Sequence, residues 1–405
     1  MRAYERLIQY VQVHTASAED LVQVPSTRRQ FELSNLLAEE MLGLGMEGVF
    51  VDKHAYVYGF LPATPGCEEK PCIGLIAHLD TIPDFCGENV KPQLVENYDG
   101  GAIPLGESGR VLDPAQFPHL NKLVGHTLIT TDGTTVLGAD DKAGIAEIMT
   151  VCERLQEEKL PHGRIAVCFT PDEEIGHGAE LLDLRRFGAD FAYTVDGGEA
   201  WELNCETFNA AAAIYEVYGF NIHPGSAKDK MINAAQVAWE INALLPAAER
   251  PEHTEGHEGF YHLTSMQGNV EKAELRYIVR DHDAASFDAR LKYLKKIKKF
   301  INEKYGSGTA KLTIRQQYRN MIEKLSDCMQ VLELAERAIR AEGLEPVRVP
   351  VRGGTDGSRL SYRGLPCPNL GTGGYCCHGP YEHISAENMD QVTRVLLHLI
   401  RLNLE

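Results

Sequence analysis

Basic residues are scarce in this chain of 405: Lys and Arg number 40 against 58 Asp and Glu, a formal charge of −18. That balance repels nucleic acid and anionic membrane surfaces, and leaves cations and small cationic molecules as better partners. Many of the acids serve solubility, so only clustered ones carry information. No stretch approaches the roughly 20 apolar residues of a membrane span. The opening segment MRAYERLIQYVQVHTAS lacks the continuous apolar run of a signal peptide, which predicts a cytoplasmic protein. The ten cysteines contain no CxxC pair and fit reduced thiols better than a disulfide framework or a structural zinc module. Tracts of biased composition and internal repeats are also missing. With 43% apolar and 24% charged residues the chain is expected to fold along its length.

At roughly 150 residues per domain, this length implies about two domains. Residues 26–46 carry apolar positions at helical spacing behind a Ser or Thr cap, and VFVDKHAYVYGFLPA reads as extended. Strand PCIGLIAHLD, helix ADDKAGIAEIMTVCERLQE, strand GRIAVCFTPDE, helix AELLDLRRFG and strand FAYTVDG follow. Strands alternating with helices predict an α/β layer with a mainly parallel central sheet, whose ligands gather at the strands' carboxyl ends. Residues 84–125 are rich in turn formers and predict a small hairpin or a rim of the site. Residues 208–318 change to a βαββαβ order, the ferredoxin-like arrangement, and read as an inserted α+β domain. The first domain, 1–207, is completed by 319–405, which carries a helix, a strand near EPVRVPV, the Gly-rich turn VRGGTDGS, the short strand CPNLGTG and a closing helix from about Ala386.

HLD, PDEE and VDGG each fall where an apolar strand gives way to polar residues, so three chemical clusters converge on one sheet edge. Glu173 and Glu174 are adjacent carboxylates, and such a pair can divide the work. One binds a cation while the other takes a proton from water that the cation has acidified. His78 and Asp80, two apart on a strand, project to one side, where the carboxylate can steady the imidazole. Asp140 and Asp141 stand at a strand-to-helix turn and fit a helix cap as well as a ligand. His78, Asp140, Glu174, Asp196 and His378 together supply two imidazoles and three carboxylates. That set suits two divalent ions sharing a carboxylate, with zinc favoured and manganese or cobalt feasible, rather than magnesium or calcium.

The order AHLDTIPD, LGADDKAGIAEIM, FTPDEEIGHGA, TVDGG, IHPGSAKDKMINA, RGGTDGS, HGPYE closely resembles the dinuclear zinc exopeptidases of the aminoacylase and carboxypeptidase G2 superfamily. The resemblance runs from near residue 1 to about 390, and the stretch from ENYDGG to GADDKAGIAEIM is similar to its tripeptide aminopeptidases. It implies two zinc ions per subunit, His78 and Asp196 on one, Glu174 and His378 on the other, and Asp140 between them. It further implies Glu173 as general base, Asp80 behind His78, and a cis peptide joining Asp140 to Asp141. The inserted domain becomes a lid and dimerisation domain, from which His223 reaches the active site of a partner subunit to hold the oxyanion.

Arg352, in the Gly-rich loop, and Arg280 can clamp a peptide carboxylate, though Arg280 equally fits a salt bridge with Asp281 or Asp283. Asn233 fits substrate binding near His223 or a helix start. His119, His126, His162, His253, His257 and His262 read as surface or loop residues, and His177 and His383 match no ligand position of the family. Cys376 and Cys377 read as packing, and LKYLKKIKKF as an amphipathic helix with a solvated face rather than a polyanion surface. The expected activity is release of the N-terminal residue from tripeptides by a homodimer that needs no nucleic acid or membrane. The alternatives are a related amidohydrolase acting on dipeptides or N-acyl amino acids, and a non-enzymatic metal-binding protein on the same fold.

Overall fold

The computed structural model describes residues 1–19, 21 and 23–405. The chain divides into two compact units, one of Met1–Cys205, Met321–Val349 and Thr355–Glu405, the other of Glu206–Asn320 and Pro350–Gly354.

The first unit is built on an eight-stranded sheet in the order Glu47–Val51, Val57–Leu61, Ile165–Thr170, Ile73–His78, Phe191–Gly197, Asn369–Gly371, Glu202–Asn204, Val347–Arg348. The four central strands run parallel, while Val57–Leu61 and Glu202–Asn204 join them antiparallel, so the sheet is mixed around a parallel core. Ile73–His78 and Ile165–Thr170 are buried at every position, the reason both read as unbroken apolar runs rather than alternating ones. Their register pairs Ile73 with Ile165 and His78 with Thr170, which brings their carboxyl ends level.

The helix Ala139–Glu157 is buried along most of its length and shares one apolar core with Leu7 of the first helix, Val331 of Met329–Ala341 and Leu396 of Ala386–Leu402. Each such fully buried aliphatic side chain contributes about 1.5–3 kcal/mol. Gly144 lets this helix approach the sheet, since a Cβ there would stand 2.0 Å from the carbonyl oxygen of Val195 and 2.5 Å from Asp141 Oδ1.

Three expectations change. The Ser or Thr cap expected for residues 26–46 gives way to a helix, Gln30–Gly43, that follows Arg29 without a side-chain cap among the described residues, and Ser26 Oγ donates to Asp172 instead. The helix expected over AELLDLRRFG shrinks to Leu184–Phe187, capped by Asp183, whose carboxylate accepts from the N–H groups of Arg185 and Arg186, and stopped by Gly188 at φ 63°. The Gly-rich turn VRGGTDGS contains the start of a helix, Asp356–Tyr362, capped by Thr355. Within 84–125 the expected hairpin pairs Ile103–Leu105 with Arg110–Leu112. Gln93–Val95 joins Leu128–Thr130, His383–Ser385 and Gly374–Tyr375 in a small separate sheet.

The second unit runs βαββαβ, with antiparallel strands ordered Phe260–Gly268, Lys272–Asp281, Asn209–Tyr218, Ala310–Tyr318. Its core joins Tyr215, Leu275, Phe287 and Leu294. The lysine-rich run lies in the helix Ala284–Tyr305, which buries Phe287, Leu291, Leu294, Ile297 and Ile301 at helical spacing.

Candidate metal centre

Four parallel strands end on one edge, and their carboxyl ends deliver most of the proposed ligands. His78 closes Ile73–His78, Glu173 and Glu174 follow Ile165–Thr170, and Asp196 lies near the end of Phe191–Gly197. Asp140 comes from the start of Ala139–Glu157, where it and Asp141 depart from helical dihedrals and are joined by a cis peptide, as the resemblance implied. His378 sits between Gly374–Tyr375 and His383–Ser385, with φ 67°.

The five side chains form a chain of contacts centred on Asp140. Its Oδ1 lies 3.0 Å from His78 Nε2 and its Oδ2 3.0 Å from His378 Nε2, so one carboxylate serves both imidazoles. Asp196 Oδ1 is 3.6 Å from His78 Nε2, and Glu174 Oε2 is 3.1 Å from His378 Nε2. Behind His78, Nδ1 donates to the carbonyl oxygen of Asp80 at 3.0 Å and lies 3.5 Å from its Oδ1. That contact leaves Nε2 facing the cluster. The same Asp80 carboxylate accepts from the backbone N–H groups of Glu173 and Glu174, at 2.9 and 3.3 Å.

Electrostatics explains how so many acids share one place. Burial opposes the charge on Asp140, but hydrogen bonds from His378 and His78 outweigh it and hold its carboxyl well below the ordinary range. Hydrogen bonds to Asp140 and Glu174 push the His378 imidazole up to about 11. Burial works against a charged His78, yet Asp196, Asp140 and Asp80 overcome it and hold its pKa well above the ordinary value. Burial lifts Glu174 to about 7 against the pull of His378, and burial and then the charge of Asp196 lift Glu173 well above the carboxylate range. Protons on the two imidazoles therefore supply the positive charge that this carboxylate cluster demands, and divalent cations satisfy the same demand more fully.

The donor set also fits cations geometrically. Ligand atoms of His78, Asp140 and Glu174 lie within 4.8 Å of one another, and so do those of His78, Asp141 and Asp196. Asp141 is fully buried, its Oδ2 accepts from the His78 N–H at 3.0 Å, and its Oδ1 has no hydrogen-bond partner among the described residues. An orphaned carboxylate oxygen beside an imidazole and a second carboxylate is what a cation neutralises.

Two residues of this neighbourhood, Glu382 and Asp356, carry no signal of their role in the sequence. Glu382 accepts from the N–H groups of Leu137, Gly138 and Asp140 at 2.7, 2.8 and 3.0 Å, and so holds the turn that presents Asp140. It stands in the HGPYE motif, but nothing local distinguishes it from a surface acid. Asp356 is buried, accepts from Thr170 Oγ1 at 2.8 Å, and is lifted to about 7 by burial.

The remaining proposed residues lie in the second unit. Exposed His223 accepts from the Gly225 N–H through Nδ1 at 3.1 Å. Asn233 caps the helix Ala234–Ala243, accepting from Ala235 and Gln236. Arg280 donates to the carbonyls of Ala211 and Val279, while Asp281 pairs with Arg290 at 2.7 Å instead. Arg352 donates to the carbonyls of Gly256 and Glu258 and to Thr254 Oγ1. His177 pairs with Glu180 at 3.0 Å.

Imidazoles and carboxylates gathered around a shared aspartate at the carboxyl edge of an α/β sheet define a metallohydrolase. Residues 133–402 match the model of peptidase family M20/M25/M40. The chain belongs to that family, and it is an enzyme, a metallopeptidase. It is 49% identical over 401 residues to the Peptidase T of Alkaliphilus oremlandii, covering 98% of both chains. It is 51% identical over 400 residues to that of Geobacillus kaustophilus, covering 98% of this chain and 97% of the relative. Among solved structures it resembles the aminopeptidase PepT of Bacillus cereus, with TM-score 0.80 and 24% identity over 100% of this chain and 98% of that one. A dinuclear metal-binding peptidase of Bacillus subtilis follows the same fold, with TM-score 0.65 and 15% identity over 98% and 97%.

Proposed function

We infer that the chain releases the N-terminal residue of tripeptides by metal-dependent hydrolysis. The observation that carries this reading is the Asp140 carboxylate, divided between His78 and His378 at 3.0 Å each, with Glu174 Oε2 3.1 Å from His378 Nε2. The naming of relatives near 50% identity as Peptidase T supports the substrate class. His78 and Asp196 would hold one ion, Glu174 and His378 the other, and Asp140 would be shared. The mixed imidazole and carboxylate set favours zinc, with manganese or cobalt as substitutes. Two such ions, when bound, acidify a water and polarise the scissile carbonyl.

Glu173 would act as general base and later return the proton to the departing amine. Asp80 would keep both His78 and the Glu173 backbone in place. His223 of a partner subunit would donate to the oxyanion, which makes the homodimer part of catalysis. Arg352 and Arg280 would meet the peptide carboxylate after giving up their present carbonyl partners, and Asn233 would assist. In this reading the discontinuous first unit is the catalytic domain and the inserted unit a lid and dimerisation domain of a cytoplasmic enzyme. The test is a panel of di-, tri- and tetrapeptides with N-acetyl amino acids on metal-depleted and reloaded protein. Metal-dependent release of the first residue of tripeptides is expected, and preference for acetylated compounds overturns it.

A further inference from the structure

We propose that His119, Cys376 and His383 form a separate binding site for one soft divalent cation such as zinc. Their ligand atoms, two imidazole nitrogens and a thiol sulfur, lie within 4.8 Å of one another. His119 sits on the short helical turn Pro118–Lys122, while Cys376 and His383 flank the loop that carries His378. The three residues thus come from two segments that only the fold brings together.

The hydrogen bonding of His383 prepares it as a ligand. Its Nδ1 lies 2.7 Å from the carbonyl oxygen of Tyr381, which can only accept, so Nδ1 carries the hydrogen and Nε2 presents a lone pair. A backbone carbonyl behind the far ring nitrogen is the usual partner of a metal-bound imidazole, because it fixes tautomer and orientation.

His119 Nε2 lies 3.0 Å from His383 Nε2, and the proton between them must come from His119. The ring of Tyr375 packs parallel to His119 at 4.5 Å, an interplanar angle of 6°, and stacks on His383 at 5.3 Å, holding both imidazoles by one wall. An ion entering here takes the place of that shared proton. His119 shifts its hydrogen to Nδ1, the Cys376 thiol releases its proton to solvent as it binds, and the thiolate so formed completes three protein ligands, leaving the fourth tetrahedral position to water. Two imidazoles with one thiolate select zinc over the hard cations that an all-oxygen site takes. Bound there, the ion staples Pro118–Lys122 to the loop two residues ahead of His378.

The test is a cobalt titration of the metal-depleted full-length protein, followed by absorption and by metal analysis after dialysis. The two-ion cluster offers no thiolate among its proposed ligands, so a thiolate-to-cobalt charge-transfer band reports the new site alone. We expect one equivalent to bring that band, Cys376→Ser to abolish it, His119→Gln to weaken its midpoint at least tenfold, and Cys377→Ser to keep it. In Asp140→Asn, expected to weaken the other two equivalents, the band should persist. A wild-type protein without the band, its survival in Cys376→Ser, or its loss in Asp140→Asn overturns the proposal. Failure of the two silent equivalents to bind would instead count against the two-ion reading.

Discussion

The carboxylate of Asp80 accepts the backbone N–H of Glu173 at 2.9 Å, while the main-chain oxygen of Asp80 accepts from His78 Nδ1 at 3.0 Å. One residue thereby sets the orientation of an imidazole on one strand end and of the proposed base on the next. Asp80→Asn keeps the size of the side chain but turns part of it into a donor facing two N–H groups. Metal affinity is expected to fall about 10–100-fold, as losses behind a metal-bound histidine do. Isothermal titration with zinc measures this, and wild-type affinity would remove Asp80 from the design.

For Glu173→Gln, metal uptake should match wild type while kcat on a tripeptide drops at least ~100-fold, the lower range for loss of a positioned acid–base group. Metal analysis alongside steady-state kinetics separates the two effects. Undiminished turnover would disqualify Glu173 as the base.

Glu382→Gln should destabilise the turn at Asp140. Of the three N–H groups now directed at its carboxylate, at 2.7–3.0 Å, at least one must lose its acceptor or meet an amide NH2. Leaving one buried donor unpaired costs about 1–3 kcal/mol, to be read from urea unfolding of the metal-free protein. A midpoint unchanged from wild type would contradict this role.

His383 gives a pH prediction. In the folded chain burial lowers its pKa to about 4, against about 6.5 when unfolded. Between those values the unfolded state holds more protons, so stability declines as pH falls below about 6.5 and levels off near 4. The loss can approach ~3 kcal/mol at 1.36 kcal/mol per pKa unit. In metal-depleted protein, His383→Gln should show a flatter unfolding midpoint between pH 7.5 and 5. Equal slopes in the two proteins would refute it.

Subunit mixing tests His223. If it serves the partner's site, inactive Glu173→Gln and weakened His223→Ala chains refolded together should recover activity, because the hybrid holds one complete site. A mixture no better than its components would confine His223 to its own chain or to no catalytic role.

Much of this was legible in the sequence because the signals are local. His78, Glu173, Glu174 and Asp196 stand where apolar strands turn polar, and parallel strands present such ends together. The helix expected over AELLDLRRFG failed for a local reason too, since Asp183 starts a helix that Gly188 stops within a single turn. Glu382 carries no local signal, because its task is visible only from the far end of its hydrogen bonds, at Leu137, Gly138 and Asp140. Cys376 and His119 likewise signal nothing until a turn and a hairpin meet.

Sequence alone determined the alternation of the main strands and helices, the βαββαβ order of residues 208–318 and the residue types able to hold divalent ions, because hydrophobic period and side-chain chemistry are written within a few residues. Tertiary structure decided which nitrogen faces which oxygen. Asp140 lies 62 residues from His78 and 238 from His378, and it takes one oxygen to each only because the sheet edge and the hairpin loop are brought together by packing. No periodicity reaches across such separations, so those pairings belong to the folded core and not to any segment of the chain.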